Sequence, residues 1–588
     1  MGGRKRLAPP LPPPAIAFYN GMDRFCKFLR ALCFRGAVQF LLLACAPIQL
    51  RAQSTGPDSL VPYFFGYDGS TDSWVNLADV TGARTFYKHG IDGQNTTSWV
   101  VDAQLVGADL FPAENFSNLT STYATPDVET APGNHATWCA ALLGGYSPPG
   151  YYLNTGMAYG TTLGSAAIAT TTYSDGSFDF STQSLAAYTY AATHGDVLST
   201  SIGDSSDPAG IGILSGLLGS LAVANPHTTM VAAAGNTGPA AGSVGGPASG
   251  YNAISVGALE GPTSYNLVAS FSSRGPQPTA WYNGTNTYYY NNGAATRPGV
   301  DLVAPGTDIV MPATMTVNSD SISFSYYALA GTSFATPLVA GGAALLDSTA
   351  KTYFKSSLTD AATQSVVVKA VLMNSADKLP GWNNGQQSVN GVITTTQALD
   401  YAMGAGRMNL NTAYTQYTTS ACVTTYPGIF SSSFNLQIAN VGWGYGTALL
   451  GGTNYYTFAN QLLAGQQIAV TAAWLRNQIW NSATNDYVDV AQAELDLMVY
   501  QILSGGTNQL IAQSISPVST TQELYFQLQN TGTYMIDVGY STNLFDFSGD
   551  YNTQDYGLAW SVEDVPEPST YMMLTMGLGA LLAFHKRR

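Results

Sequence analysis

Charged residues, cysteines and histidines are all scarce in this sequence. Only 10% of its 588 residues are charged, against about 25% in an average soluble protein. Few charges and no long charge runs argue against a chain kept disordered by self-repulsion. Three of the 5 cysteines lie in the first 52 residues. The other two, Cys139 and Cys422, are too few for a disulfide framework or a metal cluster; they are either small buried hydrophobes or a single bridge.

The charges that are present make the body of the chain acidic. The formal net charge is −15, and both ends are basic, so the segment between them is more acidic than the whole. Such a surface repels phosphate backbones, which argues against nucleic acid as a partner. Because single cores stop growing near roughly 250 to 300 residues, the length predicts at least two folded domains.

The N-terminal 52 residues have the build of an export signal. From Met22 the sequence reads "MDRFCKFLRALCFRGAVQFLLLACAPIQLRAQ", which is a basic region, then an apolar run, then small and polar residues. This order is typical of a secretory signal peptide. Residues 1 to 52 are therefore predicted to be an N-terminal extension and signal peptide, cleaved by signal peptidase near Ala52.

The C-terminal segment, residues 564 to 588, contains a second targeting pattern. It ends "VPEPSTYMMLTMGLGALLAFHKRR", where a short apolar stretch over 571 to 584 is followed by a basic tail. This pattern resembles the PEP-CTERM sorting signal of Gram-negative bacteria. The resemblance implies export, transient anchoring by a short transmembrane helix, cleavage by an exosortase-type enzyme, and release to the cell surface or extracellular matrix.

One string in the middle of the chain carries a candidate nucleophile. "GTSFATPLVAGG" places Ser333 where a helix of small residues begins, and backbone N–H groups at a helix start favour a developing negative charge. Pro337 is expected near that start, where its missing N–H is an orphan donor in any case. The string is similar to the serine motif of the subtilisin family, and further segments between about residues 85 and 415 follow the family's order. The resemblance implies a parallel α/β sheet flanked by helices.

A serine nucleophile needs a base and an orienting carboxylate. In "GNHATWCAALLGG", His135 opens a second helix of small residues and matches the family's catalytic histidine, although Ala136 and Trp138 depart from its usual motif. Asp102 ends the apolar run "SWVVD" and matches the catalytic aspartate, again with an altered motif after it. Asp109 is the runner-up for this role, and Asp92 reads as a turn residue. The competing histidines lack such a context; they are His89, His194 and His227.

The same resemblance implies the remaining parts of a peptidase site. Asn236 in "VAAAGNTG" matches the asparagine that stabilises the oxyanion. Two short segments match the substrate-binding edge and the wall of the specificity pocket; they are Ser201, Ile202, Gly203 and Ala233, Ala234, Gly235. No metal is assigned to the site. The chemistry requires no cofactor, and calcium is expected only as a possible structural ion.

Residues 420 to 563 change character and predict a different domain. Runs such as "QQIAVTAAWL", "LDLMVYQIL" and "YGLAWSV" are strand-like and are separated by Asn, Gly and Ser turns, which favours a jelly-roll-like β-sandwich. Residues 53 to 419 are predicted to form the catalytic domain. The function predicted is an exported serine endopeptidase acting on polypeptides. The alternative is a catalytically inactive surface or matrix binding protein with the same fold.

Overall fold

A computed structural model describes residues 5–7, 65–68, 73–107, 116–146, 155–174, 176–318, 321–395, 397–423 and 433–564. Within these ranges, no helix combines the length and the apolarity needed to cross a membrane. The predicted signal peptide from Met22 onwards and the predicted C-terminal helix over 571–584 both lie outside the described residues.

Nine α-helices occur in the described ranges, and all of them precede residue 420. They are α1 Leu77–Val80, α2 Arg84–Lys88, α3 Asn134–Gly144, α4 Ala186–His194, α5 Ile213–Ala224, α6 Thr332–Tyr353, α7 Ser356–Ala362, α8 Ser365–Asn374 and α9 Leu410–Thr419. Two short 3-10 helices span Gly261–Thr263 and Tyr290–Gly293.

The strands before residue 424 include the central sheet and several small sheets around it. They are β1 Lys5–Leu7, β2 Phe65–Asp68, β3 Ser73–Asn76, β4 Thr97–Asp102, β5 Leu119–Tyr123, β6 Thr162–Ala167, β7 Ala169–Thr172, β8 Phe178–Phe180, β9 Val197–Thr200, β10 Thr229–Ala233, β11 Ile254–Leu259, β12 Gln277–Pro278, β13 Ala280–Tyr282, β14 Thr287–Tyr289, β15 Ala295–Arg297, β16 Leu302–Pro305, β17 Ile309–Asn318, β18 Ser321–Leu329, β19 Gln386–Val389, β20 Val392–Thr395 and β21 Ala421–Val423.

A parallel sheet of seven strands forms the centre of the first domain, in the order β16-β11-β10-β9-β4-β6-β5. Its inner strands are buried on both faces, which is why they read as continuous apolar runs. The order places β10, β9 and β4 side by side. Because all three run the same way, their carboxyl ends meet at one edge, where open α/β sheets bind ligands. The predicted helix-flanked parallel sheet is confirmed.

The strands from residue 433 onwards form a second, β-rich region. They are β22 Ser433–Ile438, β23 Val441–Leu449, β24 Thr453–Phe458, β25 Gln467–Trp474, β26 Asn477–Asn481, β27 Asp486–Ile502, β28 Asn508–Ser514, β29 Thr521–Gln527, β30 Thr533–Asp546 and β31 Thr553–Glu563.

These strands lie in two sheets with one apolar core, as predicted for a β-sandwich. One sheet has the order β19-β20-β28-β27-β30-β24-β22 with β26 added beside β27, and the other has the order β21-β23-β31-β25-β29. The hairpin β19–β20 precedes residue 420 but pairs with β28 of the sandwich. The domain boundary between residues 419 and 420 therefore stays a prediction. At least one hairpin that precedes it in the sequence belongs to a sheet of the sandwich.

Helix α5 packs tightly against the sandwich. It is apolar around most of its circumference and buried from Leu214 to Ala222. A Cβ atom added at Gly216 would lie 2.0 Å from the ring of Tyr487, so only glycine leaves room for that ring. The Tyr487 hydroxyl donates a hydrogen bond of 2.9 Å to the carbonyl of Ile211. Strand β27 of the sandwich thus covers a helix of the first domain.

Buried charges reinforce this contact between the two regions. Arg476 of the sandwich is 0% exposed and donates 2.7 Å hydrogen bonds to the carbonyl of Ala280 and to Gln492 Oε1. Its guanidinium carbon lies 3.1 Å from the ring centroid of Tyr251. A cation stacked on an aromatic ring and away from water is among the stronger cation–π contacts. The interface therefore depends on specific polar geometry as well as apolar burial.

Candidate active site

Asp102 and His135 form a direct hydrogen-bonded pair. Asp102 is the last residue of β4 and is 2% exposed, while His135 is the second residue of α3. His135 Nδ1 and Asp102 Oδ2 are 2.9 Å apart. The second carboxylate oxygen, Oδ1, accepts the N–H of Ala103 at 2.7 Å. The carboxylate is thus fixed by its own main chain and directed at the imidazole.

Two opposing effects set the pKa of His135. Burial lowers it, because desolvation disfavours the imidazolium, whereas the charge and the hydrogen bond of Asp102 raise it. The net effect is a pKa above the ordinary value for histidine. The side chain is still 30% exposed, but Nε2 itself is buried and has no hydrogen-bond partner among the described residues. An unpaired ring nitrogen of this kind is available to accept a proton.

Ser333 lies in the first turn of α6, beside this pair. The ring of the next residue, Phe334, is 5.9 Å from the ring of His135, centroid to centroid. Ser333 Oγ donates a hydrogen bond of 3.2 Å to the carbonyl of Ser201 and makes none to His135. Catalytic hydrogen bonds are often long or misdirected in free enzymes and tighten when substrate binds. The three predicted residues therefore lie together, with the Ser333 hydroxyl turned towards Ser201.

Pro337 does not lie where its missing N–H would be harmless, and that expectation is wrong. It is the sixth residue of α6, and at this position its N–H would have bonded the carbonyl of Ser333, four residues earlier. That carbonyl instead accepts the Ser201 hydroxyl at 2.9 Å. The proline thus leaves the Ser333 carbonyl free to accept a hydrogen bond from the segment after β9.

Asn236 lies next to the start of α6, with one end of its amide bonded and the other free. Its Oδ1 accepts the N–H of Thr332 at 2.9 Å and the Thr332 hydroxyl at 3.0 Å. Its Nδ2 is buried without a partner among the described residues, and it lies 3.5 Å from where a Cβ of Gly331 would be. A buried, unpaired donor is costly unless a ligand uses it. The amide is therefore held by one end and points its donor at the turn before Ser333.

The predicted substrate-binding residues lie at the ends of β9 and β10. Ser201, Ile202 and Gly203 follow β9 directly, and Ala233 is the last residue of β10. Within the part of the chain that the structure describes, the main chain of Ile202 and Gly203 makes no backbone hydrogen bond. Backbone groups there remain free to pair with an added strand. Ala234 and Gly235 continue the neighbouring segment towards Asn236.

The competing candidates lie elsewhere. Asp92 forms a turn, since its Oδ1 accepts the N–H of Gln94 at 3.0 Å. His89 stacks on Tyr414. The other two histidines bond to groups remote from α6; they are His194, beside Tyr190, and His227, beside Thr363. Asp109 lies outside the described residues.

Cys139 is a residue of the site that the sequence analysis did not assign. The Cys139 sulfur and the candidate ligand atoms of Asp102 and His135 lie within 4.8 Å of one another. The thiol also lies 3.5 Å from the carbonyl of Ser333. Its position four residues after His135, on the same helix face, was the signal available in the sequence. Cys139 and Cys422 are both free, which removes the single bridge as an alternative.

The environment of Cys139 does not suit a metal ligand. Burial, reinforced by the charge of Asp102, raises the pKa of the thiol well above its ordinary value. A thiol binds metals as the thiolate, and Asp102 already uses an oxygen to bond His135. Cys139 is therefore best described as a protonated thiol packed against the hydrogen-bonded pair of His135 and Asp102.

A parallel sheet that presents an imidazole–carboxylate pair beside a serine at a helix start is typical of serine hydrolases. Residues 108–406 match the model of the subtilase family, described as Peptidase S8. The match covers more than half of the chain, and the protein belongs to the subtilase family. His135, Asn236 and Ser333 fall inside the matched range, whereas Asp102 precedes it.

Two further comparisons agree with the sequence patterns. Residues 564–588 match the PEP-CTERM protein-sorting motif, which indicates an exported protein sorted to the cell envelope of Gram-negative bacteria. Both resemblances noted in the sequence are thereby confirmed. A curated relative, the serine protease AprX of Bacillus subtilis (strain 168), is 35% identical over 118 residues. This alignment covers 19% of the chain and 24% of AprX, so the chain spans about a quarter of that relative's length.

Proposed function

We propose that this protein is an exported serine endopeptidase, with Ser333 as nucleophile, His135 as base and Asp102 as the orienting carboxylate. The observation that carries the proposal is the 2.9 Å bond from His135 Nδ1 to buried Asp102. His135 Nε2 has no hydrogen-bond partner among the described residues. A neutral imidazole bonded this way keeps its proton on Nδ1 and its lone pair on Nε2. A serine hydroxyl needs such a base in order to attack.

In the proposed reaction, substrate binding turns the Ser333 hydroxyl from the Ser201 carbonyl towards His135. Nε2 then accepts the hydroxyl proton as Oγ attacks the peptide carbonyl carbon, and Asp102 stabilises the imidazolium that forms. The imidazolium next donates its proton to the leaving amine, giving an acyl-enzyme on Ser333. A water molecule, deprotonated by His135 in the same way, hydrolyses the ester. Neither acylation nor deacylation, as proposed, requires a cofactor.

Asn236 is the proposed oxyanion donor, together with the backbone N–H of Ser333. Its unpaired Nδ2 would bond the negative oxygen of the tetrahedral intermediate. Because Oδ1 is already held by Thr332, the Nδ2 donor needs little reorientation during the reaction. Donors that are fixed in advance are the main source of this stabilisation, and loss of one costs about 100- to 1000-fold in kcat. That range was measured in subtilisin, a member of the same broad group of peptidases.

The proposed substrate is an extended polypeptide. The free main chain at Ile202 and Gly203 supports pairing with a substrate backbone, in the manner of an added strand. The small residues Ala233, Ala234 and Gly235 would form a wall that leaves room for a sizeable apolar side chain. Pairing through the backbone gives affinity for many sequences, while the pocket supplies the preference.

The proposed export and processing rest on the sequence patterns at the two ends of the chain. The N-terminal segment would be removed by signal peptidase, and the C-terminal segment would anchor the protein in the inner membrane until an exosortase-type enzyme cleaves it. Release to the cell surface or the extracellular matrix would follow. Mass spectrometry of the protein recovered from the producing cells tests this route: the mature form should begin near residue 53 and lack the segment after 564.

Cleavage of an unstructured protein tests the proposed activity. Wild-type protein should release peptides from reduced, denatured casein, and the variant Ser333→Ala should release none. Ser348→Ala is a matched control, because Ser348 is a buried serine of the same helix that bonds Gln94 outside the site. It should retain activity. Folded wild-type protein that cleaves neither casein nor a mixed peptide library would favour the alternative function, an inactive binding scaffold.

A further inference from the structure

The outward face of the large sandwich sheet carries a polar site that the proposed peptidase activity does not use. On this face, three adjacent strands meet at Gly539 of β30. Asp496 of β27 is its partner on one side, and Thr453 of β24 is its partner on the other. Residues opposite each other on neighbouring strands have Cβ atoms about 4.5 to 5.5 Å apart. The two side chains therefore flank a residue that has none.

Gly539 creates a notch between them. A Cβ atom added there would lie 3.6 Å from Asp537 Oδ1 and 3.7 Å from Thr453 Oγ1. Gly539 is not among the glycines with a left-handed backbone, so its conformation does not demand glycine. Glycine within a strand costs stability and often marks a place where a ligand approaches closely. Glycine at this position therefore leaves open space between Asp537 and Thr453 that a larger side chain would fill.

Asp537 points into the notch without a partner. Asp537 is only 8% exposed, and its carboxylate makes no hydrogen bond or ion pair with any described residue. An ionised carboxylate buried without compensation is strongly unfavourable. A cation above Gly539 would supply the missing compensation.

We propose that Asp537, Asp496 and Thr453 bind a calcium ion over Gly539. The available ligands are two carboxylates and a hydroxyl, all hard oxygen donors, and calcium accepts such sets in flexible geometry at about 2.3 to 2.6 Å. Two carboxylates neutralise the ion, and water completes its coordination from the solvent side. The ion joins β24, β27 and β30 and stabilises the sandwich.

Calcium titration of the full mature chain tests the site. The protein carries Ser333→Ala to prevent self-digestion, is stripped with a chelator, and is titrated with calcium chloride in a calorimeter. Gly539→Val fills the notch with a residue that strands favour, and it leaves every ligand in place. Asp537→Asn removes a ligand without changing its size. Each variant should bind one calcium ion fewer than the parent.

Controls separate loss of the ion from loss of the fold. Asp550→Asn changes an exposed carboxylate of the same domain and should leave the calcium count unchanged. In chelator, Asp537→Asn should melt at or above the parent's temperature, because it removes an uncompensated charge, yet it should gain less from added calcium. If Gly539→Val does not fold, Asp537→Asn decides the question alone. An unchanged calcium count in Asp537→Asn, or a parent that binds no calcium, would overturn the proposal.

Discussion

Glu523 should make stability depend on pH at the contact between the first domain and the sandwich. Its side chain is 0% exposed, and Oε1 lies 2.5 Å from Lys378 Nζ. The other oxygen, Oε2, is buried without a partner among the described residues. Burial raises the pKa of Glu523 from 4.5 to about 7, and the attraction of Lys378 offsets this only in part. Replacing Glu523 with glutamine removes the titration and keeps the shape.

The expected magnitude follows from this change in pKa. A carboxyl group whose pKa rises on folding binds its proton more tightly in the folded state. Its contribution to stability is therefore fully present below pH 4.5 and is lost as the pH rises through about 7. With about 1.4 kcal/mol for each pKa unit, the free energy of unfolding should fall by about 2.5 kcal/mol between pH 5 and pH 8 from this group alone.

Urea denaturation at pH 5, 6, 7 and 8 measures this loss. Parent and Glu523→Gln proteins, both with Ser333→Ala, share all other titrating groups, so the difference between their curves isolates Glu523. The parent should lose about 2.5 kcal/mol more than the variant over this range. Glu563→Gln, which changes an exposed glutamate of the same sandwich, should behave as the parent does. Parallel pH curves for parent and Glu523→Gln would refute the reasoning.

Three further changes have defined outcomes. Asp102→Asn should lower kcat on peptides by about 10000-fold. Because Asp102 raises the pKa of His135, the same change should lower that pKa in an NMR titration. Gly216→Ala should lower the melting temperature, because its Cβ would lie 2.0 Å from the Tyr487 ring. The expected loss in the free energy of unfolding is about 1 to 3 kcal/mol. Helix propensity alone predicts the opposite, so a melting temperature at or above the parent's would contradict that contact. Asp347 is 0% exposed with both oxygens unpaired among the described residues, and burial raises its pKa well above normal. The melting temperature of Asp347→Asn should therefore exceed that of the parent by a margin that grows as pH rises from 5 to 9. A difference in melting temperature that stays constant with pH would count against this prediction.

Local patterns in the sequence predicted much of the fold, and they predicted residues that the structure brings together in the candidate site. The run before Asp102 is a buried parallel strand, and such strands are recognisable because both faces are apolar. His135 and Ser333 each occur at a helix start next to small residues, a signal that lies within a few positions of each. The strand-like runs near residues 467 and 556 correspond to β25 and β31. Each of these features depends on neighbours in the sequence.

Features that depend on distant residues were not predictable in the same way. Gly216 and Tyr487 meet across 271 positions of the sequence, and nothing near either residue indicates the other. The role of Pro337 was misjudged because it depends on Ser201, which lies on another element and bonds the carbonyl that the proline leaves free. Likewise, the notch at Gly539 exists only because register places Asp496 and Thr453 beside it.

Labelling with a fluorophosphonate tests most directly whether Ser333 is an activated nucleophile. Purified wild-type protein should take up one label, and peptide mapping should find it on Ser333. His135→Ala should label at least about 100-fold more slowly, because it removes the base, and Ser333→Ala should not label. Labelling at another residue, or an unchanged rate in folded His135→Ala, would contradict the assignment of Ser333 and His135 as nucleophile and base.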